Sequence, residues 1–200
     1  MNELRIDPDW IAAGVAIALV GAGGYVAVGA YQRRARRKQL LARLDRIAYE
    51  SAHQVLVPDG MGGYIHIDHL LLTSRGLLVL DTRRVPGLIF GGDQMTEWTV
   101  MDRALRYTFP NPQTGLYDRI AAVRALAPDL PIEGHAVFTP SGRFPKGLPR
   151  HTLMLDSLRA EFPASDRLAM SVMLERWMPA WRVIQKAVTP SKLASPKAAI

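Results

Sequence analysis

The sequence predicts a mixed α/β domain preceded by a single transmembrane helix. Three features predict it. No charged side chain occurs from Trp10 to Tyr31. Between 42 and 188, short apolar runs of strand length alternate with stretches of helical spacing. The clearest strand pair, within 64–83, carries an aspartate on each strand, Asp68 and Asp81.

Residues 1–9 are expected to be a short extracytoplasmic N-terminus and 10–32 a transmembrane helix. As a helix, the uncharged run covers about 33 Å, enough for a hydrocarbon core of roughly 30 Å. Trp10, Tyr25 and Tyr31 lie at or near its ends, where amphipathic rings favour the interface. Glu3, Asp7 and Asp9 precede it, whereas a signal peptide begins with a basic region. The basic juxtamembrane segment 33–41 follows, with Arg33, Arg34, Arg36, Arg37 and Lys38. The positive-inside rule then leaves the N-terminus outside and the C-terminal domain in the cytoplasm, with the lipid bilayer held by 10–32. Much of the formal charge of +7 sits in this cluster. The remaining mild excess permits polyanion binding without requiring it. The chain has no cysteine, which excludes disulfides and thiolate-held zinc or iron–sulfur centres.

Leu40, Leu41, Leu44, Ile47 and Ala48 recur at helical spacing, so 36–51 reads as a helix running from the membrane into the domain. A short strand is expected at 53–57, then the loop 58–63 with its three glycines. The hairpin occupies 64–73 and 76–83 around Ser74-Arg75-Gly76. Shorter strands follow at 85–90, 97–100 and 105–109. Pro110-Asn111-Pro112 opens a helix over 113–126, with Leu116, Ile120, Val123 and Ala127 in one stripe. Strands at 132–139 and 151–155 flank a basic loop carrying Arg143, Lys146 and Arg150. Asp156 or Ser157 caps a short helix. Ser165-Asp166 caps a longer one to about 188, where Pro179 should kink or split it. Residues 189–200 read as a loose tail.

A tight loop of even length pairs Leu72 with Leu77 and, further down the ladder, Asp68 with Asp81 and His66 with Arg83. Facing carboxylates repel unless something lies between them, and a divalent cation is the obvious candidate. Such a site suits phosphodiester cleavage, in which a metal activates water and a cation stabilises the developing charge. The alternative is an ordinary strand end, with Asp68 satisfied by Arg83 or Arg84. His66 and His69 fall on opposite faces, so they cannot share one ion, and His69 reads as a packed residue.

The series of motifs over roughly 47–126 resembles the NERD (nuclease-related) domain, of the PD-(D/E)xK or restriction-endonuclease-like superfamily. Glu50 with Val55-Leu56, Ile67-Asp68-His69-Leu70-Leu71, Ser74-Arg75-Gly76 and Leu78-Val79-Leu80-Asp81-Thr82-Arg83 follow that family's order. So do Pro86-Gly87-Leu88-Ile89-Phe90-Gly91, Trp98, and Phe109 with Asn111-Pro112. The resemblance implies a restriction-endonuclease-like core, a mixed β-sheet flanked by helices, over 42–188. It also implies a catalytic set of Asp68, Asp81 and Arg83, with Mg²⁺ or Mn²⁺ on Asp68, Asp81 and Glu50. Three positions depart from the family's pattern. Asp81 stands for a glutamate and Arg83 for a lysine, and Gln113 follows Asn111-Pro112 at once instead of some residues later. A guanidinium stays charged and cannot shed a proton as a lysine can. Two functions follow. One is a membrane-anchored, metal-dependent nuclease with a weakened site, acting on nucleic acid, DNA more than RNA. The other is a catalytically degenerate nuclease fold that serves as a tethered nucleic-acid or protein binding module.

Overall fold

The computed structural model describes residues 8–163 and 167–191, with side chains for 24, 25, 27–163 and 175–191. The chain divides into two units, Met1–Arg43 and Leu44–Ile200. Helix α1, Pro8–Leu44, covers the described residues of the first and ends on the first residue of the second. The expected span 10–32 falls inside this helix, but most of its side chains lie outside the described residues. Among the described residues no helix is long and apolar enough to cross a membrane.

The second unit contains, in order, β1 (Glu50–Pro58), β2 (Tyr64–Thr73), β3 (Gly76–Arg83), β4 (Gly87–Phe90), β5 (Glu97–Asp102) and β6 (Leu105–Pro110). Helix α2 (Pro112–Leu126), β7 (Ile132–Phe138), β8 (Gly142–Arg143) and β9 (Thr152–Met154) come next. Then follow α3 (Leu158–Glu161), α4 (Arg167–Ala187) and β10 (Thr189–Pro190). The strands make a six-stranded sheet in the order β10-β1-β2-β3-β7-β9 and a four-stranded sheet in the order β6-β5-β4-β8. The domain is therefore mixed α/β, with parallel pairs β3–β7 and β7–β9 beside the antiparallel hairpin.

The hairpin forms in the expected register, with Leu72 opposite Leu77 and Thr73 opposite Gly76. Gly76 turns at φ +117°, a conformation that side-chain-bearing residues rarely adopt. The segment before it departs from expectation. The helix ends at Leu44, and Glu50 opens β1 instead of closing a helix. Tyr49 N donates to Leu72 O at 2.7 Å, and β1 then pairs with β2 from Glu50 onward. The free edge of β2 satisfies more backbone groups than further helical turns would. The same edge logic captures Thr189 and Pro190, expected in the tail, against Leu56 and Val55. Helix α4 runs through Pro179 as one helix. Its expected cap, Ser165-Asp166, lies outside the described residues.

One face of the large sheet is covered by α2 and the end of α4. Leu70, Leu72, Leu77 and Val79 pack there with Leu116, Ile120, Val123, Trp181 and Ile184. Helix α2 lies close because β7 offers Gly134 beneath it, where a Cβ would come within 2.6 Å of Ile120 Cδ1. A second core joins the small sheet to β7. Trp98, fully buried, stacks on Phe138 and meets Phe109 and Phe144 edge-on.

Candidate active site

Alternation along β2 puts Asp68 on the same face as Leu70 and Leu72, and along β3 it puts Asp81 with Leu77 and Val79. The strands that supply the core under α2 thus carry the two acids at their far end. Both are buried, each 4% exposed.

The ladder between β2 and β3 ends at His69 opposite Leu80, one step before the expected Asp68–Asp81 pair. Beyond it, Asp68 Oδ2 accepts the Thr82 backbone N–H at 2.9 Å and the Thr82 hydroxyl at 3.1 Å. A side-chain carboxylate thus replaces the next backbone partner. The expected His66–Arg83 pairing is not formed in the ladder. His66 registers with Leu56 of β1 and Arg83 with Phe138 of β7. The large sheet continues past the hairpin on both sides, and each strand follows its other neighbour there.

Asp68 Oδ1 accepts from Gln54 Nε2 at 3.3 Å and lies 3.6 Å from His66 Nδ1. Gln54 has φ +53° and sits between the pairs His53–His69 and Val55–Ile67. A left-handed non-glycine residue inside a strand stores strain of order 1–3 kcal/mol and re-aims its side chain. Asp81 Oδ2 accepts from Arg83 Nη2 at 2.7 Å and Nε at 3.2 Å, and Arg119 Nη1 of α2 lies 3.8 Å away. Burial pushes the Asp81 carboxyl above the ordinary aspartate range. The charges of Arg83 and Arg119 and the Arg83 hydrogen bond oppose this, and the charge of Asp68 adds to it.

Of the expected site residues, the structure brings Asp68, Asp81 and Arg83 to one end of the hairpin and leaves Glu50 out. Glu50 is opposite Leu72, four residues along β2 from Asp68, roughly 13 Å at strand rise. It sits in a strand instead of a helix, and on β1 the residue that reaches Asp68 is Gln54. His69 is on the other face as expected, 3% exposed, its Nδ1 2.9 Å from His53 Nδ1. Gln113 builds the start of α2. Its backbone N–H donates to the Asn111 cap at 2.9 Å, and its side chain donates to Asp93 at 3.0 Å and to Arg150 O at 2.6 Å. The Gln113 bond, and after it the Arg150 backbone N–H that donates to Asp93 Oδ1 at 2.9 Å, hold the Asp93 carboxyl below its usual range.

Sequence reasoning missed Arg119, Gln54 and Thr82. Arg119 had a signal, since it flanks the Leu116–Ile120 stripe of a helix that packs on the acid-bearing face. Gln54 had none, because its role depends on a positive φ.

Among the described residues no group of three or more His, Cys, Asp or Glu side chains is placed to hold a metal ion. The donor set is two buried carboxylates. It suits a hard cation such as Mg²⁺, which binds through one or two carboxylates and completes its shell with water and substrate oxygens. It does not suit a cation that needs a closed protein cage.

A mixed sheet flanked by helices, with buried acids and guanidiniums at one end of its central hairpin, is compatible with a restriction-endonuclease-like core. Residues 30–139, more than half the chain, match the nuclease-related domain, and the protein belongs to that family, NERD. The matched span includes Asp68, Asp81, Arg83 and Arg119. An uncharacterized protein of Bacillus anthracis is similar, 31% identical over 104 residues, which are 52% of this chain and 49% of that protein. The chain therefore spans about half the length of that curated relative. No solved structure matches it.

Proposed function

We propose that this protein is a membrane-anchored, metal-dependent nuclease-like enzyme that hydrolyses phosphodiester bonds of nucleic acid, DNA above RNA, on the cytoplasmic side. The observation that carries the proposal is the buried Asp68–Asp81 pair with Arg83 and Arg119 beside it, in a chain of the nuclease-related family.

Asp68 and Asp81 would hold a single Mg²⁺ or Mn²⁺, which when bound polarises a phosphoryl oxygen and makes its water more acidic. The protein's own groups have separate tasks. Thr82 and Gln54 fix the Asp68 carboxylate through both oxygens. Arg83, with its side chain one-third exposed, presents a guanidinium at the mouth of the site. A scissile phosphate would draw its fork away from Asp81 and neutralise charge that develops there. Arg119 is more buried, 18% exposed, and screens Asp81 from behind. The anchor is the uncharged run in α1, with the Arg33–Lys38 cluster at the inner lipid surface.

A second reading is a nuclease fold that binds without cutting. It is favoured by Arg83, which turns its guanidinium onto the Asp81 oxygen that a cation would use.

Purified full-length protein, assayed on DNA and RNA with Mg²⁺, Mn²⁺ or EDTA, tests the proposal. Metal-dependent cleavage that is lost in Asp68→Ala and in Asp81→Ala is the expected result. Cleavage that persists in both variants excludes this site, and no cleavage under any condition favours the binding module. Carbonate extraction tests the anchor: the full chain is expected to stay with membranes and a chain lacking residues 1–32 to be released.

A further inference from the structure

The outer face of the four-stranded sheet is unused by the site above. Ile89, Trp98 and Val100 are buried inward against Phe138. Alternation therefore turns Leu88, Phe90, Thr99, Met101, Arg106 and Thr108 outward. Register sets one row across all four strands: Arg143 beside Leu88, Leu88 beside Met101, Met101 beside Arg106. Phe90, Thr99 and Thr108 form a parallel row, and Lys146 Nζ lies 6.0 Å from the centre of the Phe90 ring. Leu88 and Met101 are 42% and 47% exposed. Arg106, Arg143 and Lys146 are exposed, and none of the three is in an ion pair among the described residues. Glu97, at the end of β5, is an acid on the same face.

Contiguous apolar side chains left in water on a sheet face mark a docking surface more often than isolated ones do. Here they are bracketed by cations on strands at both edges of the sheet. Threonine hydroxyls and the Phe90 ring stand between. Guanidinium and ammonium groups suit phosphates, hydroxyls suit phosphate oxygens, and apolar and aromatic surfaces suit bases.

We propose that this outer face, the Arg143–Leu88–Met101–Arg106 row with Phe90 and Lys146, is a docking surface for single-stranded nucleic acid. It rests on the reading of the protein as one that acts on nucleic acid, and adds how the strand is held away from the acid pair. The row spans four strands, about 14 Å at normal strand spacing, so it engages an extended strand of two or three nucleotides. The cations give affinity that falls with salt, and the apolar residues give a component that does not.

The full-length chain in neutral detergent, with EDTA present, is titrated into fluorescein-labelled oligothymidylate over a salt series. R106E/R143E is expected to weaken binding at least about tenfold and lower the salt slope by about 1.4, for two lost phosphate contacts. L88S/M101S should weaken binding with the slope unchanged. EDTA removes the metal that cleavage needs, so the titration reads docking apart from cleavage. In hydrogen exchange the oligonucleotide should protect 87–90 and 99–108. Wild-type binding by R106E/R143E overturns the proposal. So does protection of this face by phosphatidylglycerol added to the micelles with none by oligothymidylate, which would make it a lipid contact. Docking with no metal-dependent cleavage keeps this proposal and removes the nuclease. Cleavage with no effect of the sheet variants on binding does the reverse.

Discussion

Arg119 ties a helix to two strands. Its Nε donates to His66 O of β2 at 2.8 Å, and its Nη1 lies 3.8 Å from Asp81 Oδ2 of β3. Arg119→Ala is therefore expected to lower kcat/KM for cleavage by about tenfold or more. It should also cost about 1–3 kcal/mol of stability, since the His66 carbonyl loses a charged donor. Arg119→Lys should recover part of the stability and less of the activity, because an ammonium cannot reach both partners with a planar fork. Cleavage kinetics and denaturant melts on the three proteins check this. Full activity in Arg119→Ala would sink it.

Arg83→Lys is expected to raise cleavage by about tenfold. The guanidinium now makes two bonds to one oxygen of Asp81, while a lysine would make a single, more mobile contact and leave that oxygen available. Metal titration by calorimetry should show tighter Mg²⁺ binding in the variant. A variant that binds metal no better and cleaves no faster supports the binding module instead.

Asp81→Asn should stabilise the protein at neutral pH while abolishing cleavage. Burial, the largest cause, raises the Asp81 carboxyl above its ordinary value of 3.8. Between that value and the raised one, the folded state holds a proton that the unfolded chain releases. Stability therefore falls as pH rises through this window. An asparagine has no such loss, so its advantage is present above the window and fades as pH drops towards 3.8. Thermal melts of both proteins over a pH series measure it. A difference that does not change with pH would refute the assignment.

Gly134→Val is expected to destabilise the domain by about 1–3 kcal/mol, through overpacking against Ile120 and Leu116. It should also depress cleavage, since displacing α2 withdraws Arg119 from Asp81. Trp98→Ala empties the second core and should cost about 3–5 kcal/mol. The acid pair lies in the other sheet, so cleavage by the surviving folded fraction should change little. Melting curves together with activity per folded molecule separate the two cases.

Much of the acid-bearing hairpin was legible in order. Alternation and the Ser74-Arg75-Gly76 turn fix the Leu72–Leu77 register, because a one-residue slip would turn every leucine of β2 to the wrong face. That register carries Asp68 and Asp81 to the same end of the same face. The nuclease-related family was legible for a similar reason, since its motifs are the punctuation of these strands. Glu50 was misplaced because its local pattern is helical, and only the open edge of β2 draws it into a strand.

The sequence by itself determined the mixed α/β class, the hairpin and the two acids, because these depend on near-neighbour periodicity and turn chemistry. The tertiary structure decided what each acid touches. Thr82 takes Asp68 where the ladder stops, Gln54 turns to it through a left-handed backbone, and Arg119 arrives on a helix that Gly134 lets approach. Each of these depends on where chains distant in sequence come to rest, and no local period encodes that.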